Sequence, residues 1–84
     1  MNKLTEKDKV EIREVISKAS NVPLEGVTDS SKLHSDLGMD SIDAVEVIME
    51  LEEKYNIIIP DSDFEAAETV GNIIELVEQQ IEQS

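Results

Sequence analysis

The sequence predicts an all-α protein: a small bundle of three main helices and one short helix, with a long loop between helices one and two. Three observations support this. Apolar residues recur at helical spacing near both ends of the chain. A capped helix start lies near the middle. The one β-branched run, 57–59, stops at Pro60 and has no comparable partner, so we interpret it as an extended, core-filling connector.

The length favours one small core. We expect the 84 residues to form a single domain over 1–84. A chain of this size buries only roughly 60% of its unfolded surface, so its stability is modest. Two packed layers of short helices leave no room for a deep catalytic cleft.

The first helix is predicted over about residues 4–20. Its apolar residues fall at i, i+3, i+4 and i+7, at Ile12, Val15, Ile16 and Ala19. Pro23 then disfavours helix in the preceding residue. The connection over 21–40 is long for so small a protein, and such loops are often functional. It still contains apolar residues, several of which must pin it to the core: Val22, Leu24, Val27, Leu33 and Leu37.

The second helix is predicted over about 41–55, and one serine stands at its start. Asp40 can accept from the free amides of the first turn as the N-cap, and Asp43 nearly completes a capping box. Ser41 then occupies the first helical position, with its hydroxyl at the exposed end. Gly38 permits a tight turn just before it. The helix dipole and free amides tolerate a phosphate there, although Asp-Ser is also ordinary capping chemistry.

This helix has more apolar residues than one core face can hold. The predicted buried face comprises Ala44, Val47, Ile48, Leu51 and Tyr55. Ile42, Val45 and Met49 remain among the acids of the other side. An apolar centre with a charged rim is typical of a docking surface. The alternative is that one or two of these residues lie partly buried under the long loop.

A short third helix is predicted over 61–68, with Asp61 or Ser62 as its cap. Thr69 is then expected to cap a fourth helix. The helical pattern of that fourth helix is formed by Val70, Ile73, Ile74, Val77 and Ile81.

The acidic charge is concentrated after residue 20. The chain has a net charge of −13, and residues 21–84 carry two basic side chains against sixteen acidic ones. This region repels nucleic acid and anionic membranes, and it attracts basic protein surfaces. The alternative is that the acids only keep a small protein soluble.

The residue inventory argues against catalysis, so we expect no catalytic residues and no metal. There is no cysteine, and the single histidine, His34, has no evident metal-ligand partner and no obvious nucleophile to serve. We interpret it as a solvent-facing loop residue. EF-hand loops beginning at Asp36 or Asp61 lack the glycine and glutamate that the motif needs. No apolar run is long enough for a transmembrane helix, and residues 1–9 lack a signal-peptide core, which indicates the cytoplasm.

The stretch 36–41, Asp-Leu-Gly-Met-Asp-Ser, resembles the signature of acyl carrier proteins. The similarity extends through Glu46, the run 49–55, 59–61 and 69–70, and so covers essentially the whole chain. The resemblance implies that Ser41 carries a 4′-phosphopantetheine arm, added from coenzyme A by a phosphopantetheinyl transferase, with Asp40 as the helix cap beside it. The terminal thiol of that arm would hold acyl groups as thioesters. Such a carrier is not an enzyme, and we expect a monomer serving fatty-acid biosynthesis.

The resemblance also implies docking residues for basic patches on partner enzymes. They are Asp40, Asp43, Glu46, Glu52, Glu53, Asp61 and Glu65, with Val45 and Met49 as apolar contacts. The pattern of the second helix adds Ile42 to this predicted docking surface. Ile42 stands where leucine is commoner, and Ala67 where a larger aliphatic residue is usual, while Phe64 adds bulk. These differences bear on the shape of the acyl pocket. A specialised polyketide, aminoacyl or lipid-modifying carrier is one alternative, and a helical interaction module is another.

Overall fold

The computed structural model describes residues 4–83, and these residues form four α-helices and one short 3-10 turn. In chain order they are α1 (Glu6–Ser20), the 3-10 turn (Leu24–Gly26), α2 (Ser41–Tyr55), α3 (Asp61–Ala66) and α4 (Val70–Gln83). Within the described range the β-type pairing is one isolated bridge between Lys32 and Thr69. The prediction of a small all-α bundle with a long loop between α1 and α2 is confirmed; the short turn inside that loop was not predicted.

α1 starts at Glu6 because Thr5 caps it. The Thr5 hydroxyl accepts a hydrogen bond from the Asp8 amide at 3.1 Å, and the Asp8 carboxylate accepts from the Thr5 amide at 3.0 Å. This reciprocal pair fixes the helix start at Glu6, two residues after the predicted start at about Leu4. The helix ends at Ser20 as predicted, with Asn21 in the left-handed conformation at φ 58°.

Three helices supply the centre of the core. Its fully buried side chains come from α1, α2 and α4: Ile12, Ile16, Val47, Leu51, Val70, Ile73 and Val77. Within each helix the buried residues recur at helical spacing, so one apolar stripe of each helix faces the other two. Most of the buried faces predicted from the sequence are confirmed, although four of the predicted residues are only partly buried against the core: Ala19, Ala44, Tyr55 and Ile81.

The long loop is pinned to this core by its own apolar residues. Val27, Leu33, Leu37 and Met39 are buried, whereas Leu24 is exposed. An ion pair also ties the loop to α1, with the Arg13 guanidinium 2.7 Å from the Asp29 carboxylate. The loop is a packed part of the structure, as its apolar content indicated.

Backbone hydrogen bonds hold the same loop against the start of α4. The Val70 amide donates to the Ser31 carbonyl at 3.0 Å, and the Gly71 amide donates to the Asp29 carbonyl at 2.8 Å. A side chain on Gly71 would bring its Cβ to 3.1 Å from that Asp29 carbonyl. Glycine therefore permits the close approach of loop and helix at this point.

Two local predictions in the second half of the chain are wrong. Ile57 and Ile59 fill the core, but Ile58 is 76% exposed, because successive side chains of an extended segment point to opposite sides. α3 includes Asp61 and Ser62 rather than being capped by either of them. Its N-cap is Pro60, and no side chain caps it. The predicted Thr69 cap of α4 is confirmed, since its hydroxyl accepts from the Asn72 amide at 3.2 Å.

The hydroxyl of Tyr55 links α2 to α1 and makes the free energy of unfolding vary with pH in the alkaline range. It donates to the Asp8 carbonyl at 3.3 Å. Burial, together with the negative charges of Asp8 and Glu11, raises the pKa of Tyr55 from 10.0 to about 12. The folded protein thus favours the protonated phenol, a contribution that is complete below pH 10 and is lost as the pH rises towards about 12.

We therefore expect the free energy of unfolding to fall between pH 10 and about pH 12, and to fall less in Tyr55→Phe. Denaturant titrations of both proteins across this range test the expectation. Tyr55 is the single tyrosine, so its ultraviolet absorbance reports the phenol directly. Parallel losses of stability in the two proteins would exclude this role for the hydroxyl.

Candidate functional site

The predicted capping box places Ser41 at the first position of α2. The Asp40 carboxylate accepts from the Asp43 amide at 2.9 Å, and the Asp43 carboxylate accepts from the Asp40 amide at 3.4 Å. These bonds fix the start of the helix at Ser41, as the sequence indicated. The first turn also leaves backbone amides without helical acceptors, which gives this end a partial positive charge.

The loop before Ser41 is anchored by two buried side chains, Leu37 and Met39. Between them, Gly38 adopts a left-handed conformation at φ 65° and donates its amide to the His34 carbonyl at 3.0 Å. The Met39 amide donates to the Leu33 carbonyl at 2.9 Å. This tight turn brings the chain from the core to the surface just before Ser41.

The Ser41 side chain is exposed. Its hydroxyl has no hydrogen-bond partner among residues 4–83. The hydroxyl is thus open to another protein, on a backbone that the capping box and the buried anchors hold in place.

A cavity of about 310 Å³ opens beside Ser41. It lies between the end of the long loop, α2 and α3. Most of its lining is apolar and comes from all three segments: Leu33, Met39, Ala44, Val45, Ile48, Phe64 and Ala67. The resemblance linked Ile42, Phe64 and Ala67 to the shape of such a pocket. Phe64 and Ala67 line its wall, whereas Ile42 does not.

Polar groups also line this cavity. They are His34, Asp40, Ser41, Asp61 and Glu65. His34 is exposed, as predicted for a solvent-facing loop residue, but sequence reasoning missed that it shares a cavity with Ser41. Only the path of the folded loop, which turns back at Gly38, brings the two together.

The predicted docking side of α2 is open to solvent. Ile42, Val45 and Met49 are 68%, 53% and 62% exposed, so they are not covered by the loop. The carboxylates of Glu46, Glu53, Asp61 and Glu65 are exposed as well, and Asp43 is half-buried. Ile58 is a further exposed apolar residue, which the alternation of an extended segment could have revealed.

Glu52 differs from the other acids on α2. It is half-buried, and its carboxylate accepts a hydrogen bond from the Ile59 amide at 2.8 Å. This bond holds the connector that leads to α3. The resemblance assigned Glu52 to docking. Its bond to the Ile59 amide is a tertiary contact between two segments, which the sequence does not indicate.

Two further observations concern the described part of the chain. Residues 4–83 contain no cluster of acidic or histidine side chains suited to a metal ion. Among the helices of this range, none has the length and apolar character that crossing a membrane requires.

Comparison with known proteins identifies the type of site. Residues 10–77 match the family model described as "Phosphopantetheine attachment site". Such a group is joined through a phosphate to a hydroxyl, and it needs an exposed acceptor with space beside it. The free hydroxyl of Ser41, the amides of the helix start and the adjacent apolar cavity fit these requirements. The cofactor of this protein is 4′-phosphopantetheine.

Curated relatives agree over most of the chain. An acyl carrier protein of Wolinella succinogenes is 47% identical over 68 residues, which are 81% of this chain and 90% of the relative. One from Sulfurovum sp. is 46% identical over 81% of this chain and 91% of the relative. One from Helicobacter pylori is 44% identical over 81% of this chain and 87% of the relative. On these matches and this geometry, the chain belongs to the acyl carrier protein family.

Proposed function

We propose that this protein carries acyl chains as thioesters on a 4′-phosphopantetheine arm attached to Ser41, and presents them to enzymes of fatty-acid biosynthesis. The observation that carries the proposal is the free, exposed Ser41 hydroxyl at the edge of an apolar cavity. The family match and the curated relatives support the same role.

The chain's own residues have separate tasks in this role. Ser41 supplies the attachment oxygen, and the Asp40–Asp43 capping box holds the backbone around it. The bound group supplies a reactive thiol, which a chain without cysteine does not have. The protein itself binds and presents, so we include in the proposal that it is a carrier without catalytic residues.

The cavity is proposed to shield the acyl chain between enzymes. Met39, Ile48 and Phe64 give it a buried apolar wall, and removal of an acyl chain from water is favourable in proportion to the area covered. Its volume of about 310 Å³ lies near the lower limit of ordinary ligand pockets, roughly 300–1,000 Å³. Longer chains would therefore require the walls to move apart.

Partner enzymes are proposed to bind the docking face, defined here as a set of apolar and acidic residues on α2 and α3, all exposed except for the half-buried Asp43. The face comprises Ile42, Asp43, Val45, Glu46, Met49, Glu53, Asp61 and Glu65. Glu52 lies at its edge, and we expect a smaller contribution because its carboxylate holds the Ile59 amide. The proposed partners are a phosphopantetheinyl transferase and acyl-transfer enzymes with basic patches.

Charge reversal tests the docking face. We expect Glu46→Lys to slow association with the transferase at low salt, because like charges then oppose a basic patch and steering is lost. Glu75→Lys is the matched control, since Glu75 is exposed on α4 outside the docking face. Stopped-flow association rates at two salt concentrations measure the difference. Equal rates for both variants and the parent would argue against steering through this face.

Mapping of the attached group tests the assignment of Ser41. Trypsin cleavage after Lys32 and Lys54 yields a peptide, 33–54, that contains both Ser35 and Ser41. After treatment with coenzyme A and a transferase, fragmentation should place the added mass on Ser41. An addition found on Ser35, or outside this peptide, would contradict the proposal. A monomeric state and a cytoplasmic location are also proposed, and sedimentation and cell fractionation would test them.

A further inference from the structure

His34 brings a group that can carry positive charge into the cavity beside Ser41. The lining of this cavity otherwise contains acidic, apolar and hydroxyl side chains. Beyond residue 20 the chain has two other cationic side chains. Lys54 pairs with Glu11 at 3.3 Å at the far end of α2, and Lys32 does not line the cavity. Of these three side chains, only His34 is placed to meet an anion on Ser41.

The imidazole of His34 is free to take such a partner. No residue in the described range bonds to its ring. The backbone carbonyl of His34 accepts from the Gly38 amide at 3.0 Å. That same contact fixes the tight turn leading to Ser41. The backbone positions of the two residues are therefore linked, while the ring itself has no role in holding the fold.

A phosphodiester on Ser41 would add negative charge to a strongly acidic region. Asp40 caps α2 at this point, Asp61 and Glu65 line the cavity from α3, and Asp36 lies on the same loop. Like charges at short range are unfavourable, and the helix start offers only a partial positive charge. A full positive charge on a side chain that lines the same cavity would offset this repulsion.

We propose that protonated His34 contacts the phosphodiester on Ser41 and thereby positions the base of the prosthetic group at the cavity. The inference rests on attachment at Ser41. His34 acts as a positioning residue: protonation of its ring strengthens the contact, and deprotonation releases it. The orientation of the arm is thus expected to change with the charge on this ring.

Phosphorus NMR of the modified protein tests this directly. A phosphodiester has no proton to lose between about pH 5 and 8, the range in which histidine as a residue type changes its charge. A change of its resonance there therefore comes from a neighbouring group, which the variants identify. We expect the phosphorus resonance of the wild-type protein to move sigmoidally with pH. In His34→Gln the movement should be lost, whereas Lys32→Gln, which removes a cation from the same loop outside the cavity, should retain it.

The outcomes separate this inference from the proposed function. Intact mass, measured first, establishes whether one arm is attached to each protein. With the arm attached, a flat wild-type resonance, or equal movement in wild type and His34→Gln, would overturn the role of His34 and leave the carrier function standing. No attachment to wild-type protein, with a known carrier modified in parallel, would overturn both.

Discussion

Replacing Ser41 with alanine is expected to abolish attachment of phosphopantetheine completely while the protein stays folded. The hydroxyl makes no hydrogen bond within residues 4–83, so its removal leaves no buried group unpaired. The Asp40–Asp43 capping box keeps both of its hydrogen bonds. Alanine is also a better helix former than serine. The expected change in the free energy of unfolding is within about 0.5 kcal/mol.

Thermal unfolding followed by circular dichroism and the mass after modification measure the two halves of this prediction. Ser35→Ala is the matched control, because Ser35 is an exposed serine on the same loop. The Ser35→Ala protein should be modified at Ser41, as the parent is. A Ser41→Ala protein that still acquires the arm would show that another side chain is the acceptor. One that unfolds would show that the serine is structural.

The largest loss of stability is expected from Leu51→Ala. Leu51 is completely buried on α2, where it meets the apolar stripes of the other helices. A buried leucine replaced by alanine costs about 2–5 kcal/mol, because apolar contacts are lost and a cavity remains. A protein of this size has only ~5–10 kcal/mol of total stability. The melting temperature should therefore fall by roughly 10 °C or more.

Leu24→Ala is the matched control for this substitution. Leu24 lies on the short 3-10 turn and is 38% exposed, so the same chemical change removes much less buried surface. Calorimetry of the two variants should show a large shift for Leu51→Ala and a small one for Leu24→Ala. Similar shifts would mean that α2 does not pack as described.

The sequence was sufficient where local chemistry decides the structure. Apolar spacing located the faces of α1, α2 and α4, because a helix must bury one stripe of its surface. The start of α2 followed from Asp40 and Asp43, whose capping bonds need only neighbouring backbone. The place of Ser41 at the first helical position follows from those bonds, and so it could be predicted without knowledge of the tertiary fold.

Features that depend on contacts between distant segments could not be predicted in this way. The carboxylate of Glu52 holds the Ile59 amide, and no local pattern indicates that bond. His34 reaches the cavity because the loop turns at Gly38 and is hydrogen-bonded to the start of α4. Ile58 is a different case, since its exposure follows from the alternation of side chains in an extended segment. The alternation rule predicts this exposure, whereas the interpretation of 57–59 as core-filling rests on the apolar composition of the run.

Attachment at Ser41 is tested most directly by the intact mass of the folded protein after incubation with coenzyme A and a broad-specificity phosphopantetheinyl transferase. A known carrier protein, treated in parallel, confirms that the transferase is active. We expect an increase by the mass of a single phosphopantetheine group in wild-type protein and none in Ser41→Ala. An unchanged wild-type mass, with the known carrier fully modified, would contradict the assignment of Ser41 as the attachment site.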